Sequence, residues 1–126
     1  MSLRSPLGTA KGLGSAKEGL HHWWAQRVTA IALIPLTIWF AFKVAVLSQS
    51  DYQTVIECIG SPWSAALLVS LIVAAFYHAA LGMQVIFEDY IGHKAARVGA
   101  IMATNLLLFL LGAAAIIAVV RIALGG

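Results

Sequence analysis

Apolar positions along the chain fall into three long blocks, Val28 to Leu47, Ser64 to Phe87 and Val98 to Val120, and Lys43 is the only Asp, Glu, Lys or Arg in any of them. Each block holds roughly 20 residues or more, enough for a helix to cross a hydrocarbon core about 30 Å thick. They predict transmembrane helices over 28–47, 64–87 and 98–120. Short polar stretches, Ser48 to Ser61 and Glu88 to Arg97, join them, so the second and third helices should be antiparallel neighbours. No soluble domain is left over. Residues 1–126 read as a single all-α integral membrane unit, with 1–27 as a segment outside the bilayer.

Composition agrees with the pattern. The chain is 61% hydrophobic and 10% charged, far too apolar for a soluble domain of this size. A net charge of +3 does not indicate a nucleic-acid partner, because the basic residues are scattered beside the apolar blocks rather than clustered. They report topology. Arg4, Lys11, Lys17 and Arg27 precede the first block, and Lys94 and Arg97 separate the second from the third; the 48–61 stretch carries Asp51 and Glu57 without Lys or Arg. The positive-inside rule then predicts a cytoplasmic N-terminus and a periplasmic C-terminus. The pattern of a cleaved secretory signal is missing from the start of the chain.

Local signals refine the helices. Pro35 removes one backbone hydrogen bond inside the first block and predicts a bend near Ile31. Lys43 is placed to snorkel. Ser61-Pro62 reads as a helix start, with Ser61 as the cap and Pro62 in the first turn. Trp23, Trp24 and Trp63 suit the headgroup level. Gly99 with Ala103 and Gly112 with Ile116 give the third helix small positions for close approach, and the lone Cys58 reads as a small filler in a loop.

Chemistry concentrates on the second helix. His78 lies near its middle, and Asp89-Tyr90 follows at its end. At 100° per residue Leu71, Ala74, Leu81, Gly82, Val85 and Asp89 fall within about 60° of His78. His78 and Asp89 are then about 16 Å apart along the axis. The face is apolar, with small residues at Ala74 and Gly82 on either side of the histidine, clearance that a flat macrocycle would need. From spacing alone His78 is open to three roles: cofactor ligand, partner in an interhelical hydrogen bond, or proton relay. A haem with two histidine ligands would need a second chain, since His21, His22 and His93 all flank the blocks. Arg27 is either a headgroup anchor or a guanidinium fork for haem propionates. Asp89 and Tyr90 are either interfacial residues or a quinone-contacting pair, the phenol donating to a carbonyl.

These residues carry a resemblance. Gln26-Arg27-Val28-Thr29-Ala30 at the entrance to the first block, the run from His78 through Gly82-Met83 to Asp89-Tyr90, and the three-helix layout resemble the hydrophobic membrane-anchor (D) subunit family of bacterial succinate dehydrogenase, succinate:quinone oxidoreductase or respiratory complex II. The match runs from about His21 onward. It implies a three-helix anchor in the cell inner membrane, packed against a partner three-helix cytochrome b large anchor subunit, with haem b shared between them. It also implies docked iron-sulfur and flavoprotein subunits that carry the dicarboxylate chemistry of the tricarboxylic acid cycle, and ubiquinone as the substrate reduced in electron transport. By that resemblance His78 is the axial ligand of the haem iron, Arg27 lies by the propionates, and Tyr90 and Asp89 belong to the quinone site. Two other functions are weighed against it: a small transporter or channel subunit with His78 as proton relay, and a purely structural anchor.

Overall fold

In a computed structural model that describes residues 13–126, the chain forms four helices: α1 (Leu13–Leu47), α2 (Tyr52–Gly60), α3 (Pro62–Tyr90) and α4 (Lys94–Ala123). Arg4 and Lys11, two of the cations used above to orient the chain, lie outside the described residues. Among the described residues there is no strand. Three of the helices are long and apolar enough to cross a membrane: α1 from Gly19, α3 and α4.

Helix boundaries exceed the apolar blocks. With 35 residues, α1 is about 52 Å long at 1.5 Å per residue, well beyond a hydrocarbon thickness of about 30 Å. Hydropathy marks only the part that suits lipid. The Lys, Glu, Ala and Leu residues ahead of Val28 are adequate helix formers, so the helix begins earlier. It also continues through Pro35.

The stretch expected as a loop between the first two spans contains α2. Asp51 caps it: the carboxylate Oδ1 accepts from the Thr54 backbone N–H and from the Thr54 hydroxyl. The Thr54 hydroxyl bond is the main reason the Asp51 carboxyl sits below its ordinary value. Cys58 therefore lies in a helix, half-buried, with its Sγ 3.9 Å from Ser64 Oγ. Ser61 occupies the N-cap position of α3 with Pro62 at the helix start, but its hydroxyl makes no capping bond there. Instead it donates to the Cys58 carbonyl at 2.9 Å. The Cys58 carbonyl at the end of α2 thus accepts from both the hydroxyl and the backbone N–H of Ser61.

α3 is the middle helix, packing on α1 along one side and on α4 along the other, while α2 packs against the ends of α3 and α4. Close approach is visible at two glycines. A Cβ on Gly112 would stand 3.5 Å from Cγ of Phe76, and one on Gly60 would stand 3.2 Å from the Ile122 carbonyl oxygen. Gly99, in contrast, faces open space. With one central helix, little becomes interior: among the described residues the buried side chains are few, Ala74, Leu81 and Val119 with the polar Ser64. Ile31, Ile34, Ile38, Phe42 and Phe109 point outward, as expected where lipid or another apolar helix is the surroundings.

Candidate functional site

The α1–α3 contact is the only place where side-chain polar groups meet between two spanning helices, among the described residues. Thr29 Oγ1 on α1 lies 3.0 Å from Nδ1 of His78 on α3. The same hydroxyl oxygen lies 2.7 Å from the Ala25 carbonyl oxygen and 3.1 Å from that of Gln26, the back-bonding that a threonine makes inside a helix. Both residues are half-buried. No other hydrogen bond involves His78 among the described residues, so its second ring nitrogen, Nε2, has no protein partner there.

One turn toward the α1 N-terminus, the Gln26 side-chain amide lies over Gly82, 3.8 Å from where a Cβ would stand. The two contacts define an antiparallel register in which rising α1 numbers meet falling α3 numbers. Gly82 thus accommodates α1 itself, and the clearance expected there for a macrocycle is occupied by Gln26. His22, Gln26 and Thr29 recur at helical spacing on one face of α1. Two atoms of this stripe, His22 Nε2 and Gln26 Oε1, are buried without a hydrogen-bond partner among the described residues, and unpaired buried polar atoms cost free energy.

Thr29 was part of the Gln26 to Ala30 run noted in the sequence, but its link to His78 was missed. A signal existed: the 22, 26, 29 spacing marks a polar stripe in the first helix facing inward.

The remaining candidates lie toward the far end of α3 and on the outer side of α1. Asp89 and Tyr90 form the last turn of α3, both exposed, Tyr90 at 85%. Among the described residues no hydrogen bond joins either to another side chain, nor do they contact His78. Arg27 is exposed, its guanidinium 5.5 Å from the centre of the Trp23 ring, which meets Trp24 edge-on at 5.5 Å. Such an arrangement suits an interfacial anchor. The chain therefore brings Thr29, His78, Gln26 and Gly82 together, and leaves Arg27, Asp89 and Tyr90 as open surface.

A groove of about 540 Å³ lies between α3 and α4 and is lined by Phe76, Tyr77, Leu81, Asn105, Phe109 and Gly112 among others. His78 does not line it. The chemistry-bearing face is the one toward α1.

Among the described residues no three His, Cys, Asp or Glu side chains cluster as a metal site. The donor set suits a different arrangement, a single axial bond to a metal that is held mainly by its own macrocycle. His78 offers one nitrogen tied to the protein and one untied, the disposition of a metal-ligating imidazole with its outer partner in place.

Comparison with known proteins agrees with this architecture. Residues 1–119 match the family model described as succinate dehydrogenase/fumarate reductase transmembrane subunit. A succinate dehydrogenase hydrophobic membrane anchor subunit from Rickettsia bellii is 38% identical over 116 residues, covering 92% of this chain and 93% of that one. A protein of the same description from Paracoccus denitrificans is 31% identical over 121 residues, covering 96% and 93%. A succinate dehydrogenase membrane anchor subunit from Reclinomonas americana is 33% identical over 85 residues, covering 65% and 71%.

Proposed function

The chain belongs to the succinate dehydrogenase/fumarate reductase transmembrane-subunit family, and on that premise we propose that it supplies one axial ligand to a haem b and one wall of a ubiquinone site. Its role is that of a multi-pass membrane-anchor subunit of succinate dehydrogenase.

His78 is the haem ligand in this reading, and the observation that carries it is the one-sided bonding of its ring: Nδ1 meets Thr29 at 3.0 Å while Nε2 has no partner among the described residues. A histidine serving only to join two helices satisfies the reading equally through Nδ1. It gives no reason for a second polar nitrogen to be kept in an apolar span, where ionisable groups are expensive. The second axial ligand comes from another chain, in this reading the cytochrome b large anchor subunit. When bound, haem b supplies a one-electron redox centre.

Arg27 grips a propionate through its guanidinium fork. Tyr90 donates its phenol O–H to a quinone carbonyl oxygen, and Asp89 orients the phenol or delivers protons. Reduction of ubiquinone takes two electrons and two protons, and this chain contributes binding, hydrogen bonding and electrostatics to it. Arg27, Lys94 and Arg97 lie at one end of the bundle, while toward the other end the 48–61 connection carries no Lys or Arg and the basic residues are Lys43 and Arg121, a balance that supports a cytoplasmic N-terminus. Tyr90 then faces the side where the iron-sulfur and flavoprotein subunits dock.

The test is His78→Ala in the co-expressed complex. Loss of the haem b absorption band with the complex still assembled supports the reading, and a full band with His78→Ala rejects it in favour of a purely structural histidine.

A further inference from the structure

We propose that Thr29 is a positioning residue that selects the tautomer and ring orientation of His78, an inference that rests on His78 being the haem ligand. The hydroxyl has one hydrogen and three neighbours that could claim it. Two are carbonyls of its own helix, Ala25 at 2.7 Å, near the optimum for O–H···O, and Gln26 at 3.1 Å; the third is His78 Nδ1, at 3.0 Å, near the optimum for N–H···O.

Only one arrangement gives every hydrogen an acceptor. If Thr29 donates to Ala25 and accepts from Nδ1–H, both donors are satisfied and Nε2 carries a lone pair. If Thr29 instead donates to Nδ1, the ring hydrogen moves to Nε2, which has no acceptor among the described residues. An N–H left without an acceptor in apolar surroundings is the costlier defect. The backbone of α1 therefore determines, through one hydroxyl, which nitrogen of a residue on α3 is free to bind iron.

Two consequences follow for a bound haem. An imidazole whose Nδ1–H is accepted by an oxygen is a more basic ligand through Nε2, and outer partners of this kind hold the ring in its ligating orientation. Threonine is well suited because its own hydroxyl is pinned to the helix and its β-branched χ1 is restricted.

Thr29→Val keeps the shape and removes the hydroxyl, while Thr29→Ser keeps the hydroxyl and loses the methyl. In the purified co-expressed complex, Thr29→Val is expected to move the haem midpoint potential upward, change the low-spin EPR signal, and weaken haem retention roughly 10- to 100-fold. Thr29→Ser is expected to return all three toward wild type. A wild-type potential and haem-to-flavin ratio in Thr29→Val overturns the proposal, as does a Thr29→Ser variant that deviates as far as Thr29→Val. If Thr29→Val does not assemble, Thr29→Ala against Thr29→Ser makes the same comparison, and equal potentials in that pair overturn it. His78→Ala, measured alongside, separates the two levels. Haem loss in His78→Ala with an unchanged Thr29→Val removes this inference alone, whereas full haem in His78→Ala removes the ligand reading beneath it.

Discussion

Thr29 and His78, separated by 49 positions in sequence, meet at 3.0 Å between α1 and α3, with Gln26 lying over Gly82 one turn away. A polar contact of this kind fixes both the rotation of α1 about its axis and its height against α3. The helix pair is thereby registered by hydrogen bonding as well as by apolar packing, which is weakly directional when the solvent is lipid.

Tyr90 is exposed at the end of α3 and carries a phenol with no partner among the described residues. Tyr90→Phe removes only the hydroxyl. Succinate-driven ubiquinone reduction is expected to fall about three- to tenfold, the value of one ordinary hydrogen bond, while succinate oxidation by a soluble artificial acceptor stays near wild type. Equal losses in the two assays would count against a quinone contact.

Arg27 stacks near Trp23 and is otherwise open. Arg27→Lys keeps the charge and removes the planar fork, so membrane topology should be unchanged while haem content per assembled complex falls. Wild-type haem content and an unaltered redox titration would leave Arg27 as an interfacial anchor.

The α3–α4 interface is tight at one point. Gly112→Ala places a Cβ 3.5 Å from Phe76, ordinary contact distance, and should be tolerated. Gly112→Leu must push the Phe76 ring aside, costing about 1–3 kcal/mol and lowering the thermal midpoint of the complex. Gly99→Ala, with nothing within 4 Å, serves as the comparison and should behave as wild type. A Gly112→Leu complex with an unchanged midpoint would show that the two helices separate freely.

Asp51 gives the connection between α1 and α3 a pH dependence. Its carboxyl is held below the ordinary value of 3.8, chiefly by the Thr54 hydroxyl. A carboxyl lowered on folding stabilises the helix fully above its unfolded value, and that contribution disappears as pH falls through the lower folded value. The protection factor of the Thr54 amide, its exchange rate relative to the intrinsic rate at the same pH, should fall on acidification below about pH 4, and much less so in Asp51→Asn, which accepts the same bond without titrating. Identical acid responses in the two would remove the cap as the cause.

Much of the architecture was legible in one dimension. Three blocks nearly free of charge imply three helices in lipid, because a backbone there must satisfy its own hydrogen bonds. Gly112 was marked as a small position in the third helix and does meet Phe76; Gly99, marked by the same rule, meets nothing. Small residues permit close approach, but the path of the neighbouring helix decides where it happens. The loop after α1 hid α2, since a nine-residue helix with a polar cap leaves no long apolar run. Ser61 followed the sequence rule in position and departed from it in bonding, its hydroxyl donating to the Cys58 carbonyl at the end of α2.

Sequence by itself determined that this is an all-helical membrane protein with three spans, and that His78 is the one histidine within them. Periodicity places residues on faces of their own helix, and it carries no information on which face meets which neighbour. Tertiary structure decided that α3 is central, that the small position at Gly82 is filled by α1, and that His78 Nδ1 is engaged by Thr29. The reason is physical. Rotation and register between two helices depend on contacts summed along their whole length, and a hydrogen bond spanning 49 positions exists only after those are set.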